Sequence, residues 1–338
     1  MDEIKYPIEG RDRGLPLVSI AQATADAKII LEEERDGKQR GLYCRFKPIN
    51  VGMLRYWRFG YINLIGGSSG AGKSYILNHL HDDFTNPLLN AKCIFGLPVI
   101  LHFAYESRGS DEVIRNVGAK VGKSYSYLLS AEFQATNEDY NRLTDDELAH
   151  ALDRMVELKD RTIYYTKGTG NRKQMYDTIY KVKSLHPNRP LIITTDHSHL
   201  IKKAEERNDL ELIAEHAQDL IKYVRDFDNP MIIDLAQLNA DIEDIKRREN
   251  PALHYPIKGD VHGSNQLFWA CDNVLLLHRP DLIGIKKYGI GGRDSKDLIH
   301  AALIKTRFGR TGNIWLQSEL NKGRIVEYTP PIQKFGVQ

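Results

Sequence analysis

Apolar runs alternate with amphipathic segments along most of the chain beyond residue 60. Strand-like runs are predicted at 61–66, 99–106, 163–165, 191–196, 231–237, 274–278 and 301–305. Several of these runs are continuously apolar rather than alternating, which is typical of strands covered on both faces of a largely parallel sheet. The pattern therefore predicts an α/β fold in which helices flank a mostly parallel central sheet.

Helical periodicity is clearest at 209–226, where one face carries Leu210, Ile213, Ala217, Leu220, Ile221 and Val224. A second helix is predicted at 18–36, because Ser19 followed by Gln22 fits a capping box and Gly37 fits a C-terminal stop. Its apolar stripe leaves two interpretations open. The helix either packs on the core of its own chain or is a linker helix that docks on a neighbouring subunit.

Composition narrows the class of protein without deciding its partners. Of the 338 residues, 41% are hydrophobic and 27% are charged, as in ordinary globular proteins. No stretch approaches the roughly 20 apolar residues of a membrane span, and the acidic, polar start is not a secretory signal. Three scattered cysteines indicate a reducing, cytoplasmic setting. The net charge of +2 neither demands nor excludes a nucleic acid. The Gly- and Lys-rich stretch 284–297 predicts a mobile loop.

The strongest motif follows the first predicted strand and matches the P-loop pattern in full. It reads Gly67, Ser68, Ser69, Gly70, Ala71, Gly72, Lys73 and Ser74, and a helical pattern comes next. The glycines let backbone N–H groups curl around phosphate oxygens at the positive end of a helix dipole. Lys73 is expected to reach the β- and γ-phosphates of ATP, and the Ser74 hydroxyl to bind Mg²⁺.

Two carboxylates end predicted strands near this loop. Asp196 follows the run LIITT and fits the Walker B role of holding Mg²⁺, although it could also cap the next loop. Glu106 ends the strand that follows the P-loop helix. Hydrolysis needs a carboxylate that polarises the attacking water, and Glu106 is the best-placed candidate. Its alternative interpretation is a solvated charge at a strand end.

Later strands carry further candidates for the nucleotide site. Gln237 ends the run MIIDLAQ and could sense the γ-phosphate. A strand is predicted to deliver Lys305 and Arg307, two residues apart, to one face. An arginine aimed at a γ-phosphate contributes a factor of roughly 10³–10⁵ in rate. The alternative for this pair is an exposed basic strand edge.

Taken in order, these motifs resemble those of the DnaB-type replicative helicases. They are equally similar to the helicase half of phage primase-helicases and to the related mitochondrial helicase. The resemblance rests on DHSHL at 196–200, AQLN at 236–239 and KTRFGRTG at 305–312, and it runs from about residue 18 to the C-terminus. It implies a RecA-type core at 41–338, preceded by an arm and linker helix at 1–40. It also implies a homo-oligomer, a hexameric ring on single-stranded DNA, with a primase or a helicase loader as a further partner.

The segment 258–266 resembles the loop with which that family grips the single-strand backbone. The resemblance assigns DNA contacts to Lys258, His262, Gly263 and Asn265. The family usually has Arg where His262 stands and Gly where Asn265 stands. Lys258 is therefore an alternative source of the phosphate contact.

Two other functions compete with a helicase. One is a RecA- or circadian-clock-type ATPase that acts in recombination, remodelling or signalling without unwinding. The other is a regulator that binds ATP and barely hydrolyses it. The intact Lys73, Asp196 and Glu106 argue against the regulator. The glycine turn after Arg307 and the segment 258–266 favour the helicase.

Overall fold

The computed structural model describes residues 17–130, 143–196, 209–261 and 265–329. The chain divides into two units, residues 1–39 and residues 40–338. The first unit contains helix α1, Ile20–Arg35. Ser19 caps its start, since the Ser19 hydroxyl accepts a hydrogen bond from the Gln22 N–H at 3.2 Å. Gly37, in the left-handed region with φ 74°, ends it. No residue of α1 is buried, and Ile20 is 84% exposed.

The second unit is built on one nine-stranded sheet. Its strands are β3 Ile62–Gly67, β4 Val99–Ala104, β5 Ile163–Tyr165, β6 Leu191–Asp196, β7 Met231–Gln237, β8 Asn273–His278, β11 Leu298–Lys305, β12 Gly312–Glu319 and β13 Arg324–Glu327. Their order in the sheet is β13-β12-β11-β8-β3-β7-β6-β4-β5. The six strands from β8 to β5 are parallel, and β11, β12 and β13 extend the sheet by antiparallel pairing.

Helices cover the sheet on both faces, as the continuously apolar strands predict. The helices are α2 Lys47–Gly52, α3 Lys73–Phe84, α4 Pro87–Asn90, α5 Gly109–Val121, α6 Tyr125–Leu128, α7 Asp145–Lys159, α8 Arg172–Leu185, α9 Asp209–Asp226, α10 Ile245–Glu249 and α11 Asn265–Ala270. One hydrophobic cluster joins the sheet to α8, α9 and α11, and a second joins it to α2 and α3. The predicted α/β architecture with a mostly parallel sheet is confirmed.

Two short hairpin-like pairs lie outside the main sheet. Strand β1, Gly41–Leu42, pairs with β2, Trp57–Arg58. Strand β9, Lys287–Tyr288, pairs with β10, Arg293–Asp294. The second pair corrects the prediction of a mobile loop at 284–297. Ile285 and Tyr288 are buried against Leu298, so this hairpin has its own small apolar core. Among the described residues, no helix is long and apolar enough to cross a membrane.

Candidate functional site

The phosphate-binding loop joins β3 to α3 at the carboxyl edge of the parallel strands. Gly70 and Gly72 have φ values of 75° and 96°, in the left-handed region that favours glycine. A Cβ at Gly67 would lie 3.0 Å from Lys73 Cγ and 3.1 Å from the Leu277 carbonyl oxygen. Glycine at these three positions therefore lets the backbone curl tightly at the start of α3, as phosphate binding requires.

The Lys73 ammonium is held inside this loop. Its Nζ donates to the carbonyl oxygens of Gly67 at 2.6 Å and Ser68 at 3.0 Å, and to Gln237 Oε1 at 3.0 Å. Burial lowers the pKa of Lys73 to about 8, against the opposing effect of the Asp196 and Glu106 carboxylates. Gln237 reaches Lys73 because β7 runs parallel to β3, with Gln237 in register with Gly67.

Two predicted carboxylates reach the same edge of the sheet from neighbouring strands. Asp196 ends β6, is 2% exposed, and lies in register with Ala104 at the end of β4. Burial, with Glu106 and Glu112 nearby, raises the pKa of Asp196 to about 7. Glu106 was predicted to end its strand. In the structure β4 ends at Ala104, and Glu106 lies two residues beyond it. Its side chain is exposed, and it influences the pKa of both Lys73 and Asp196.

A cavity of about 580 Å³ opens over the loop. It is lined by Ser69, Gly70, Gly72, Lys73, Ser74, Tyr75, Glu106, Arg115, Gln237 and Leu320. Several features suit a nucleotide with a divalent cation. The buried Ser68 hydroxyl has no hydrogen-bond partner among the described residues. Ser74 and Asp196 offer the oxygen ligands that Mg²⁺ prefers. A cation beside Asp196 would also offset the burial that raises its pKa.

Sequence reasoning missed a buried carboxylate that contacts the lining of this cavity. Glu112, 3% exposed on α5, accepts hydrogen bonds from the Ser107 hydroxyl and from Asn78 Nδ2, which is 3.2 Å from Glu112 Oε2. It also forms an ion pair with Arg115, which lines the cavity. Glu112 thus ties the segment next to Glu106 to α3. The spacing of Glu112 and Arg115 by three residues was the available signal, but such pairs are common on solvated helices.

A histidine stands behind Asp196. His102 is 1% exposed, and its Nδ1 lies 2.8 Å from Thr194 Oγ1. Among the described residues, His102, Glu112 and Asp196 offer ligand atoms that all lie within 4.8 Å of one another. Burial lowers the pKa of His102 to about 4. The ring is therefore neutral at pH 7, and the cluster is a polar layer beneath the nucleotide cavity.

Lys305 and Arg307 lie at the other end of the sheet. Strand β11 runs antiparallel to β8 and ends at Lys305, whose register partner is Val274 at the start of β8. Arg307 lies past the end of the strand, which corrects the prediction that one strand carries both residues. It forms an ion pair with Asp272 at 2.9 Å. Lys305 Nζ donates to the carbonyl oxygen of Phe268, at the end of α11, at 2.8 Å.

The predicted DNA-contacting segment is described in part. Lys258 opens a short 3-10 turn, Lys258–Asp260. His262 and Gly263 lie outside the described residues, and only the backbone of Asn265, at the start of α11, is described. A hydrogen bond links this turn to the segment that follows β7, because the Asn239 N–H donates to the Asp260 carbonyl oxygen at 2.8 Å.

The phosphate loop lies at the carboxyl edge of the parallel sheet. At the same edge, a buried acid ends β6 and a second acid lies just beyond β4. Together these features define a P-loop nucleotide hydrolase with a RecA-type core. A comparison with protein families identifies the family within this class. The family described as "DnaB-like helicase C terminal domain" matches residues 41–327, so the chain belongs to this family.

Solved structures support the same fold. One of them, described as an ATPase domain, is similar with a TM-score of 0.73 and 16% sequence identity, over 91% of this chain and 98% of that one. "The Structure Of A DnaB-Like Replicative Helicase And Its Interactions With Primase" also aligns with a TM-score of 0.73, at 17% identity. That match covers 92% of this chain and 69% of the other. No curated protein sequence matches significantly.

Family membership decides between the competing functions. The chain is an ATP-hydrolysing DNA helicase of this family, and the recombinase or clock-type alternative is not favoured. The family resemblance inferred from the motifs is confirmed. The individual roles of the site residues stay predictions.

Proposed function

We propose that this chain is the motor of a ring, hexameric as the resemblance implies, that hydrolyses MgATP between subunits and moves along single-stranded DNA in the cytoplasm. The observation that carries this proposal is the separation of Arg307 from the phosphate loop. Arg307 pairs with Asp272, whose N–H donates to the carbonyl oxygen of Ile62 at the start of β3. The loop follows Gly67 at the other end of that strand.

The length of β3 keeps the two groups apart. Five residue steps at about 3.3 Å each place the ends of the strand about 17 Å apart. A guanidinium at the near end does not reach a phosphate at the far end of its own chain. We propose that Arg307, with Lys305 beside it, meets the nucleotide of a neighbouring subunit instead. There it would stabilise charge that develops on the transferred phosphoryl group.

The contacts within one chain support a proposed role for each site residue. Lys73 would leave the loop carbonyls to bind phosphate oxygens. Glu106 would orient the attacking water and accept its proton. Ser74 and Asp196 would hold Mg²⁺, which supplies positive charge at the β- and γ-phosphates when bound. Gln237 contacts Lys73 and so is placed to respond when Lys73 changes partners.

A short hydrogen-bonded path supports coupling of this site to DNA. Gln237 ends β7, and Asn239 follows two residues later. Asn239 Nδ2 donates to the Gly259 carbonyl oxygen at 2.9 Å, within the turn that carries Lys258. We propose that Lys258, together with His262, Gly263 and Asn265, contacts the DNA backbone, and that this path carries the state of the nucleotide to the DNA.

Two partnerships complete the proposal. The exposed apolar side chains of α1, such as Ile20 and Leu31, suit docking on a neighbouring subunit. A primase is a proposed partner because one structural neighbour is described together with its interactions with primase. A helicase loader is proposed on the resemblance alone.

Electron microscopy with a non-hydrolysable ATP analogue and single-stranded DNA tests the assembly. We expect closed rings of six subunits, with weaker assembly when the nucleotide is left out. Monomers, or open filaments at every nucleotide and DNA concentration, would contradict the ring.

A further inference from the structure

An exposed tryptophan lies beside the lysine proposed to contact DNA. Trp269, on α11, is 68% exposed. Lys258 Nζ lies 4.3 Å from the centre of the Trp269 ring and 4.9 Å from that of Phe268. An exposed aromatic ring that is bordered by cations forms a surface on which a ligand can bind. The tryptophan therefore suits a ligand that can bind a flat apolar ring and a neighbouring cation together.

The charge around the ring is positive. Lys305 Nζ also lies near the aromatic pair, 5.0 Å from the Phe268 ring centre and 5.8 Å from that of Trp269. Asp272, the carboxylate next to this cluster, is already paired with Arg307. The ligand that fits here carries an aromatic plane and negative charge together.

We propose that Trp269 stacks against a base of single-stranded DNA while Lys258 holds an adjacent phosphate. This inference rests on the proposed function and specifies how the chain binds the DNA. The Lys258 ammonium is within 4.3 Å of the ring centre, so a phosphate on this lysine brings the attached base close to Trp269. Stacking is tolerant of sequence because every base has a π-face, which suits a motor that moves along any sequence.

A second copy of the chain fits the same surface less well. A protein partner that covered Trp269 would also bury Lys258 and would have to supply a carboxylate to match it. A DNA strand brings one phosphate with every base, so each stacked base comes with its own counter-charge.

The test compares two oligonucleotides of equal length, oligo-dT and an abasic strand with the same phosphates. Affinities are measured by fluorescence anisotropy with the full chain and a non-hydrolysable ATP analogue. We expect the wild type to prefer oligo-dT by roughly five- to 150-fold, the range set by stacking of one base. Trp269→Ala should abolish this preference and leave the abasic affinity unchanged, and Trp269→Phe should retain part of it.

Tyr180→Ala is the matched control. Tyr180 is an aromatic residue, 63% exposed, on α8, and its substitution should change neither affinity. Nucleotide affinity and circular dichroism check that each variant is folded. Equal loss of both DNA affinities in Trp269→Ala, or a changed oligomeric state by mass photometry, would overturn stacking and favour a subunit contact.

Failure of the proposal is distinguishable from failure of the proposed function. If the wild type binds both strands equally well, DNA binding stands and stacking is wrong. If it binds neither strand while it hydrolyses ATP, the DNA-motor proposal fails as well. Tryptophan fluorescence gives a second readout, since Trp57 is fully buried and Trp315 stacks on His300 at 4.6 Å. Oligo-dT should quench the exposed Trp269, and the abasic strand should not.

Discussion

The two edges of the central sheet differ in how complete they are within one chain. At the carboxyl edge, Lys73 is buried and makes three hydrogen bonds, and Asp196 is buried with its pKa raised to about 7. At the amino edge, Arg307, Trp269 and the neighbouring Phe308 are each more than 60% exposed. The first edge is organised to receive phosphate, and the second presents side chains outward.

The two edges suit residues that act in different ways. Groups that must desolvate a phosphate are fixed by strand register and by burial in their own chain. Groups that act on another molecule need to stand out from the surface. Substitutions at the carboxyl edge should therefore change nucleotide chemistry within a subunit. Substitutions at the amino edge should change what happens between molecules.

Loss of the phosphate-binding cation should have the largest effect on nucleotide binding. Lys73→Ala removes the ammonium held beside the loop carbonyls, so we expect nucleotide affinity to fall by roughly 100-fold or more. Titration with a fluorescent ATP analogue measures this. Lys173→Ala, which removes a highly exposed lysine of α8, should keep nearly normal affinity. Similar affinities for Lys73→Ala and wild type would show that the loop assignment is wrong.

Removal of the proposed base should slow hydrolysis and spare binding. Glu106→Gln keeps the shape of the side chain but cannot accept a proton, so we expect kcat to drop by roughly 10²–10⁴. Glu243→Gln, at a carboxylate that lines a separate pocket with Ser68 and Ser69, is the control. Steady-state ATPase assays measure kcat for both variants and for the wild type. Turnover of Glu106→Gln within a few-fold of wild type would assign the base to another carboxylate.

The raised pKa of Asp196 predicts a pH-dependent stability difference. Because this pKa is near 7 in the folded chain, against an ordinary value of 3.8, the folded state binds more protons between these pH values. The stability that this bound proton contributes to the folded state is lost as pH rises toward 7 and above. Asp196→Asn lacks it, so the stability of this variant relative to wild type should increase by about 2 kcal/mol between pH 5 and pH 8.

Urea unfolding without nucleotide or divalent cations measures this difference. Asp153→Asn, on the exposed face of α7, should show no such change. A constant stability difference between Asp196→Asn and wild type across this pH range would mean that Asp196 is ionised throughout.

The smallest effect is expected for DNA affinity at the amino edge. Lys258→Ala should make the slope of log affinity against log salt less negative by about 0.7, the value for one phosphate on a single strand. Nucleotide affinity should not change. Lys173→Ala, a highly exposed lysine on α8, should leave the slope alone. An unaltered slope in Lys258→Ala would move the DNA contact to another part of the chain.

The sequence predicted the parts of the molecule that depend on local pattern. The buried parallel strands and the phosphate loop are read from apolar runs and glycine spacing. Strand β12 was missed because its side chains are alternately buried and partly exposed, so its apolar run is interrupted. The hairpin at 284–297 resembles a loop in its composition, because its core depends on Leu298 and not on its own residues alone.

The turn that carries Arg307 depends on a distant contact. The Arg310 N–H donates to the Gly52 carbonyl oxygen at 3.1 Å. A Cβ at Gly309 would collide with that same oxygen. This approach of α2 fixes the turn and ends β11 at Lys305. No pattern within 305–312 could reveal it, which is why Arg307 was expected on the strand. Glu112 was missed for a related reason, since two of its partners, Asn78 and Ser107, come from α3 and from the segment beside Glu106.

A mixing experiment tests most directly whether a neighbour completes the nucleotide site. Lys73→Ala subunits keep an intact Arg307, and Arg307→Ala subunits keep an intact phosphate loop. Alone, each should be nearly inactive, with a loss of roughly 10³-fold or more in kcat for Arg307→Ala. Lys305→Ala should be impaired less, because a flexible point charge does less than a planar guanidinium.

Mixed assemblies should recover part of the ATPase activity, because some interfaces then join an intact loop to an intact Arg307. Recovery should rise and fall with the mixing ratio. If both variants assemble normally, exchange subunits freely and regain no activity, then Arg307 does not act on the nucleotide of a neighbouring subunit, and hydrolysis between subunits is contradicted.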